Sequence, residues 1–204
     1  MNLALTTFIG LYTALMVIAP IMSNRIIELW HFVIPMGGLF AYTAASTLDI
    51  INNNWGVKQA RATVLGSLIN RFVIYGLMVL TITLIPIKFE NPGFEDMVMT
   101  GVRLLIAAEI SSALSQYFID IPIFDYMKKR FKWFAARYNV SNLISGFIQS
   151  VTFAYIGFWG TPKAHLIPTM ILSGLALKYI IQISATPLVA LIAKWTEPKD
   201  VRNT

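Results

Sequence analysis

The chain has 204 residues, of which 56% are hydrophobic and 13% charged, about half the charged fraction of a typical soluble domain. A globular core of this size cannot bury so much apolar surface, so the composition excludes a soluble domain and predicts an all-α integral membrane protein. The absence of cysteine excludes disulfides, cysteine-based metal sites and thiol nucleophiles.

Apolar stretches long enough to cross a bilayer, about 20 residues each, recur along the chain. They predict about six transmembrane helices, near 3–22, 35–51, 63–85, 97–119, 141–159 and 166–192. The first is too long and too evenly apolar for a signal peptide, so we expect it to be retained. Pro86 and Pro122 follow the third and fourth helices, where a helix commonly stops. We expect one transmembrane transporter domain over residues 1–204.

Basic residues are distributed unevenly among the predicted loops. The second loop, the fourth loop and the C-terminal tail contain Lys58, Arg61, Lys128, Lys129, Arg130, Lys132, Arg137, Lys194, Lys199 and Arg202. The other loops contain only Arg25, Lys88 and Lys163, with acids such as Glu28 and Glu90 beside them. The positive-inside rule therefore predicts that both termini are cytoplasmic, in a multi-pass protein of the inner membrane. Topology explains the net charge of +6, so we expect the lipid bilayer and no nucleic acid as a partner.

The segment 124–138 is short, basic and amphipathic. Phe124, Met127, Phe131, Phe134 and Tyr138 recur at helical spacing, and the lysines of the segment lie off that stripe. This pattern predicts one short interfacial helix on the cytoplasmic surface.

Polar side chains inside the spans are the candidates for function, because an ionisable group at mid-bilayer costs about 2.5–3.5 kcal/mol. Four spans carry a polar face: Ser46, Asp49, Asn52 and Asn53; Glu109, Ser112, Gln116 and Asp120; Asn142, Ser145, Gln149 and Thr152; Lys178, Gln182 and Thr186. If these faces converge, they enclose a polar cavity that suits a small, flat, hydrogen-bonding solute. Single serines and threonines also serve as interhelical contacts, whereas Glu109 and Lys178 are expected to function or to pair with each other. Arg71 and Arg103 are expected to reach the interface.

Enzyme chemistry has no support in the sequence. There is no HExxH motif, no glycine-rich phosphate loop and no serine nucleophile elbow. His31 and His165 lie in predicted external loops far apart in sequence, which is a weak case for a metal site. We expect a protein that is not an enzyme and uses no metal or cofactor.

Four stretches match the motifs of one family in order and spacing. They are S-T-L-D-I-I-N-N-N-W-G-V-K-Q-A-R with Asp49, Trp55, Gly56, Ala60 and Arg61; S-Q-Y-F-I-D-I-P-I-F-D with Asp120 and Phe124; L-K-Y-I-I-Q-I-S-A-T-P with Lys178, Thr186 and Pro187; and Ser23-Asn24. On these residues the chain resembles the bacterial queuosine-precursor transporters, also called the vitamin-uptake-transporter family. The resemblance implies uptake of the 7-deazaguanine precursors preQ0 and preQ1. Asn53, Gln149 and Gln182 stand where the family typically has acids, so either another acid, such as Glu109, reads the base or the ligand differs.

We predict a central cavity lined by Asp49, Asn53, Glu109, Asp120, Gln149, Lys178 and Gln182, with Phe124 and Trp55 stacking or gating at its cytoplasmic mouth. Lys178 is expected to organise the carboxylates, and Glu109 is the first candidate carrier if protons drive transport. Two alternatives stay open: a substrate-binding subunit of a multi-component vitamin or nucleobase importer, and a non-transporting membrane scaffold. The sequence also leaves open a homo-oligomer or an energising partner.

Overall fold

The structure is a computed structural model of the chain, and it describes residues 2–29, 32–84 and 92–197. Its elements follow in the order α1 (Leu3–Met22), β1 (Ile26–Leu29), β2 (Phe32–Pro35), α2 (Gly37–Leu84), α3 (Pro92–Ser112), a π-helical segment (Ala113–Asp120), α4 (Ile121–Lys128), α5 (Phe134–Phe158), a 3₁₀ turn (Ala164–Leu166) and α6 (Ile167–Trp195). Several residues used in the sequence analysis lie outside the described ranges: His31, Pro86, Lys88, Glu90, Lys199 and Arg202.

Four helical stretches in the described part of the chain are long and apolar enough to cross a membrane. They are Leu3–Met22, Gly37–Leu84, Gly101–Arg130 and Ala164–Trp195. Large apolar side chains such as Phe72 and Leu172 are 50% and 70% exposed on the helix surfaces, as lipid-facing residues are. The chain is therefore an all-α, multi-pass membrane protein. α5 contains most of the predicted fifth span but is not among the four, because its polar face lowers its mean hydropathy.

The second and third predicted spans are the two halves of a single element, α2. This element is 48 residues long and contains one residue with a non-helical backbone, Gly56, at φ 83° and ψ 174°. The loop predicted between residues 51 and 63 is therefore wrong, since all of it except Gly56 is helical. Glycine has no Cβ and adopts a backbone conformation that would strain other residues, so a single residue can make the break.

The two halves of α2 run in opposite directions beside α1. A Cβ added to Gly37, at the start of the first half, would lie 1.9 Å from the carbonyl oxygen of Ala19. In the second half, the Tyr75 hydroxyl donates to the carbonyl of Val17 at 3.4 Å. Residues 37 and 75 therefore lie at the same level of α1, and the chain reverses direction between them at Gly56.

Replacing Gly56 with alanine is expected to lower the free energy of unfolding by about 1–3 kcal/mol, because this backbone region is nearly restricted to glycine. No atom lies within 4 Å of a Cβ added there, so the cost arises from the backbone alone. Gly66 is the matched control, since it has equally open space and a helical backbone in the same element. Gly66→Ala should stabilise the protein by up to about 1 kcal/mol. Denaturant titration in detergent measures both, and equal effects would contradict this explanation.

The fourth predicted span ends too early, at residue 119. α3, the π-helical segment and α4 form an uninterrupted stretch from Pro92 to Lys128. The Ile121 N–H donates to the carbonyl of Gln116, five residues back, and Pro122 follows in the first turn of α4. Pro122 therefore does not end the helical stretch.

The interfacial helix predicted over 124–138 does not form. α4 ends at Lys128, and α5 begins at Phe134 after a turn. Phe124 and Tyr138 are 0% and 1% exposed and lie in an apolar cluster with residues of α6. The aromatic spacing reflects two successive helices that pack on a common core, and not one helix on the membrane surface.

Strands β1 and β2 form an antiparallel hairpin where the sequence analysis expects only a loop. Ile26 pairs with Pro35, and the Val33 N–H donates to the Ser173 hydroxyl at 3.1 Å, which fastens the hairpin to α6. We call this the hairpin end of the helix bundle. The opposite end, where α4 and α5 meet the C-terminal part of α6, is called the far end.

Candidate functional site

Three ionisable side chains from three elements meet in the interior. Asp49 of α2, Asp120 at the end of the π-helical segment and Lys178 of α6 are 1%, 1% and 3% exposed. The two carboxyl groups interact with each other, and both interact with the Lys178 ammonium. We call this site the carboxylate cluster, consisting of Asp49, Asp120, Lys178 and the α5 residues Ser141, Asn142 and Ser145.

Each carboxyl group of the cluster accepts a hydrogen bond from α5 through one oxygen, and the two carboxyl groups lie within hydrogen-bonding reach of each other. Asn142 Nδ2 donates to Asp49 Oδ2 at 2.5 Å, and the Ser145 hydroxyl donates to Asp120 Oδ1 at 3.0 Å. Asp49 Oδ1 and Asp120 Oδ2 are buried without a hydrogen-bond partner in the described part of the chain. A buried acceptor left unsatisfied costs about 1–3 kcal/mol, so both oxygens favour a ligand that brings N–H donors.

Lys178 is seated against the backbone of α5. A Cβ added to Gly146 would lie 2.5 Å from Lys178 Nζ and 2.9 Å from its Cε, so only glycine leaves room for the ammonium there. Nζ also lies 5.7 Å from the centre of the Tyr42 ring. No carboxylate of the described residues lies within 4.0 Å of Nζ, so the lysine neutralises the cluster from a short distance and is not locked into an ion pair.

Glu109 belongs to a second buried network and does not pair with Lys178. Its partner is Arg71 of α2, with Nη2–Oε2 and Nε–Oε1 distances of 2.7 and 2.6 Å. The Arg71 side chain is 0% exposed, so the expectation that it reaches the interface is wrong. The ion pair with the buried Glu109 carboxylate keeps the Arg71 guanidinium in the interior of the protein. Arg103 is exposed and donates to the carbonyls of Ile156 and Trp159 at the end of α5, as expected of a residue near the interface.

Asn53, Phe124 and Trp55 lie toward the far end, away from the cluster. Asn53 Nδ2 donates to Asn54 Oδ1 at 2.7 Å, and the Asn53 carbonyl accepts from Lys128 Nζ at 2.7 Å. The Trp55 ring packs against α1, while Phe124 is 0% exposed among aromatic residues of α5. The structure therefore places these three beside the far end of the site and not in its centre.

Gln182 lies on the far-end side of the cluster, and Gln149 lies on its hairpin-end side. Gln182, one turn after Lys178, donates to the Tyr138 carbonyl at 3.1 Å and keeps its buried Oε1 without a partner among the described residues. Gln149 lines a cavity at the hairpin end, with an empty volume of about 670 Å³ that includes space open to the surroundings.

A family model described as putative vitamin uptake transporter matches residues 35–192, most of the chain. The chain belongs to the vitamin uptake transporter family. Membership confirms the resemblance read from the sequence motifs, and it makes the protein a membrane transporter by family. No curated protein and no solved structure matches the chain significantly.

The range matched by the family model contains the whole carboxylate cluster and excludes α1. Within it, the sequence analysis missed Tyr42, Ser141 and Gly146 as residues of the site. Helical spacing could have found two of them, since Ser141 is one turn before Ser145 and Tyr42 two turns before Asp49. The π-helical segment that ends at Asp120 had no sequence signal, although such segments frequently occur at functional sites.

Proposed function

We propose that this family member takes up a small purine-like base, a 7-deazaguanine queuosine precursor such as preQ0 or preQ1, across the inner membrane. The observation that carries the proposal is the pair of buried, unpartnered carboxylate oxygens on Asp49 and Asp120. A guanine-like edge presents adjacent N–H donors, and a carboxylate is the strongest acceptor that a protein offers to such donors.

The amides that replace family acids do not weaken this proposal. Asn53 lies outside the cluster, Gln149 lies above it, and Gln182 uses its amide N–H on the backbone of α5. Asp49 and Asp120 remain as acceptors, so Glu109 is not needed to read the base. Gln182 Oε1, one turn from Lys178, adds a neutral acceptor and favours a ligand with several donors along its edge.

Transport would follow from movement of the helices around the cluster. We propose six spans with both termini in the cytoplasm, which puts the hairpin end outside. Asp49 lies on α2, which is broken at Gly56, and Asp120 ends the π-helical segment. Both irregularities can absorb a change in the direction of a helix. Uptake by the purified chain alone in liposomes separates a self-sufficient transporter from a binding subunit that needs an energising partner.

Asp120→Asn is expected to reduce uptake of labelled 7-deazaguanine bases to near background, since it removes the charge from one of the two acceptors. Cells that lack both precursor synthesis and their own transporter provide the assay. Asp125→Asn is the matched control, the same substitution five residues later on a half-buried residue outside the cluster, and should retain uptake. Normal uptake by Asp120→Asn, or no uptake by the unmodified chain when it is inserted and folded, would refute the proposal.

A further inference from the structure

The cavity at the hairpin end and the carboxylate cluster are neighbours that both contact Tyr42. Tyr42, Gly174 and Gln149 line the cavity. Lys178 lies one turn beyond Gly174 on α6, and Asp49 lies two turns beyond Tyr42 on α2. The cluster therefore lies next to the cavity, on its far-end side. The Tyr42 ring lies between them, and the Lys178 ammonium is 5.7 Å from the centre of that ring.

The position of Tyr42 is defined by two glycines and one hydrogen bond. Its hydroxyl donates to the carbonyl of Gly174 at 3.0 Å. A Cβ added to Gly38 would lie 3.3 Å from the Tyr42 hydroxyl oxygen, and a Cβ on Gly174 would lie equally close to the same oxygen. These contacts are tighter than most side-chain contacts, so a larger residue at either glycine would require the Tyr42 ring to shift by a few tenths of an ångström. Through the hydrogen bond to Gly174, Tyr42 connects α2 to α6.

The cavity above Tyr42 has the properties of a binding site for a flat, uncharged ring. Most of its lining is apolar or aromatic, including Met16, Phe153 and Phe158. Its polar groups include the Gln149 amide and the Ser150 hydroxyl, which form no hydrogen bond with any other described residue. An apolar pocket with a few uncommitted donors and acceptors is typical of sites for small heterocycles.

We propose that this cavity is an outer binding site in which the base waits, and that Tyr42 is the gate between it and the carboxylate cluster. The inference rests on the proposed function for the identity of the ligand, but not for the gate. In the outer site, the ring of the base packs on the apolar wall, and its polar edge meets Gln149 and Ser150. Movement of Tyr42 away from Gly174 then opens the way to Asp49 and Asp120.

The natural absence of cysteine makes the gate directly testable, because any introduced thiol is the only one in the chain. Ser150→Cys reports on the cavity, and Ser141→Cys, at a 0% exposed residue of the cluster, reports on the space below the gate. With Tyr42 intact, a small water-soluble methanethiosulfonate should modify the thiol of Ser150→Cys and leave that of Ser141→Cys unmodified. Adding Tyr42→Ala should raise the modification rate of Ser141→Cys about tenfold or more, since thiol reactivity depends on access.

Two further variants separate a gate from general loosening of the fold. Tyr42→Phe keeps the ring and should leave the thiol of Ser141→Cys protected. Tyr75→Ala removes another buried tyrosine of α2, one that does not line the cavity, and should also leave the thiol protected. The gate is refuted if the thiol of Ser141→Cys reacts while Tyr42 is intact, or if it stays unreactive in Tyr42→Ala. It is also refuted if Tyr75→Ala exposes that thiol as much as Tyr42→Ala does.

Protection by ligand tests the outer site separately. A 7-deazaguanine base should slow the modification of Ser150→Cys several-fold when it occupies the cavity. If the base gives no protection while a labelled base is still taken up by the unmodified chain, the outer site is wrong and the proposed function stands. If neither protection nor uptake occurs but Tyr42→Ala still exposes Ser141→Cys, the proposed substrate is wrong and the gate stands.

Discussion

Lys178→Met is expected to reduce uptake of the base at least about a hundredfold. The substitution keeps the length of the side chain in its seat against Gly146 but removes the only positive charge close to Asp49 and Asp120 among the described residues. Leaving a buried charge without its compensating partner costs about 3–5 kcal/mol, and 1.4 kcal/mol corresponds to a factor of ten. The two carboxyl groups would then share a proton or repel each other, and neither would present its free oxygen in the same way.

The controls for Lys178→Met are Lys129→Met and Lys178→Arg. Lys129 is exposed in the turn after α4, so its loss should leave uptake unchanged. Lys178→Arg keeps the charge, but the planar guanidinium is too large for the seat against Gly146 and should not restore full uptake. Initial rates of uptake, normalised to the amount of inserted protein, measure all three. Unimpaired uptake by Lys178→Met would remove the lysine from the site.

Arg71→Ala is expected to destabilise the protein by about 3–5 kcal/mol, because it leaves the buried Glu109 carboxylate without its partner. Replacing both residues, as Arg71→Met with Glu109→Leu, removes the two charges together and should recover most of the lost stability. Arg103→Ala is the matched control at an exposed site, where loss of contacts to a helix C-terminus should cost about 1 kcal/mol or less. Unfolding titrations in detergent measure the three variants.

The double variant also decides what Glu109 does. If Glu109 only neutralises Arg71, the double variant should transport the base with the same dependence on pH as the unmodified chain. If Glu109 carries protons, uptake by the double variant should lose its pH dependence although stability is recovered. A double variant as unstable as Arg71→Ala would contradict the pairing as the source of the destabilisation.

Local hydrophobicity was sufficient to predict the class of the protein and the position of α1. The bounds of α1 match the prediction at both ends, and α6 ends three residues beyond it. An uninterrupted apolar run is a property of neighbouring residues, and the bilayer requires such a run regardless of the rest of the fold. The break at Gly56 was different, because the polar residues around it resemble a loop in composition although they are helical.

Part of the site could also be predicted from the sequence. Lys178 was chosen because a charge inside a span is costly and marks function, and Asp49 and Asp120 because they belong to polar faces and match the family motifs; the structure brings all three together. The choice of Glu109 followed the same rule, but the rule does not say which charges pair. Asn53 and Gln149 share a helix face with cluster residues, but Asn53 bonds to Asn54 and Gln149 lines the cavity at the hairpin end.

The sequence by itself determined that this is a helical membrane protein with charged groups held inside it, because both properties follow from the cost of placing residues in lipid. Only the tertiary structure decided that Glu109 pairs with Arg71 and that Lys178 lies near Asp49 and Asp120. That choice depends on how each helix is rotated about its axis and on the π-helical segment that ends at Asp120. Rotation is set by contacts between residues distant in sequence, such as Gly146 with Lys178 and Gly174 with Tyr42, and no local pattern encodes them.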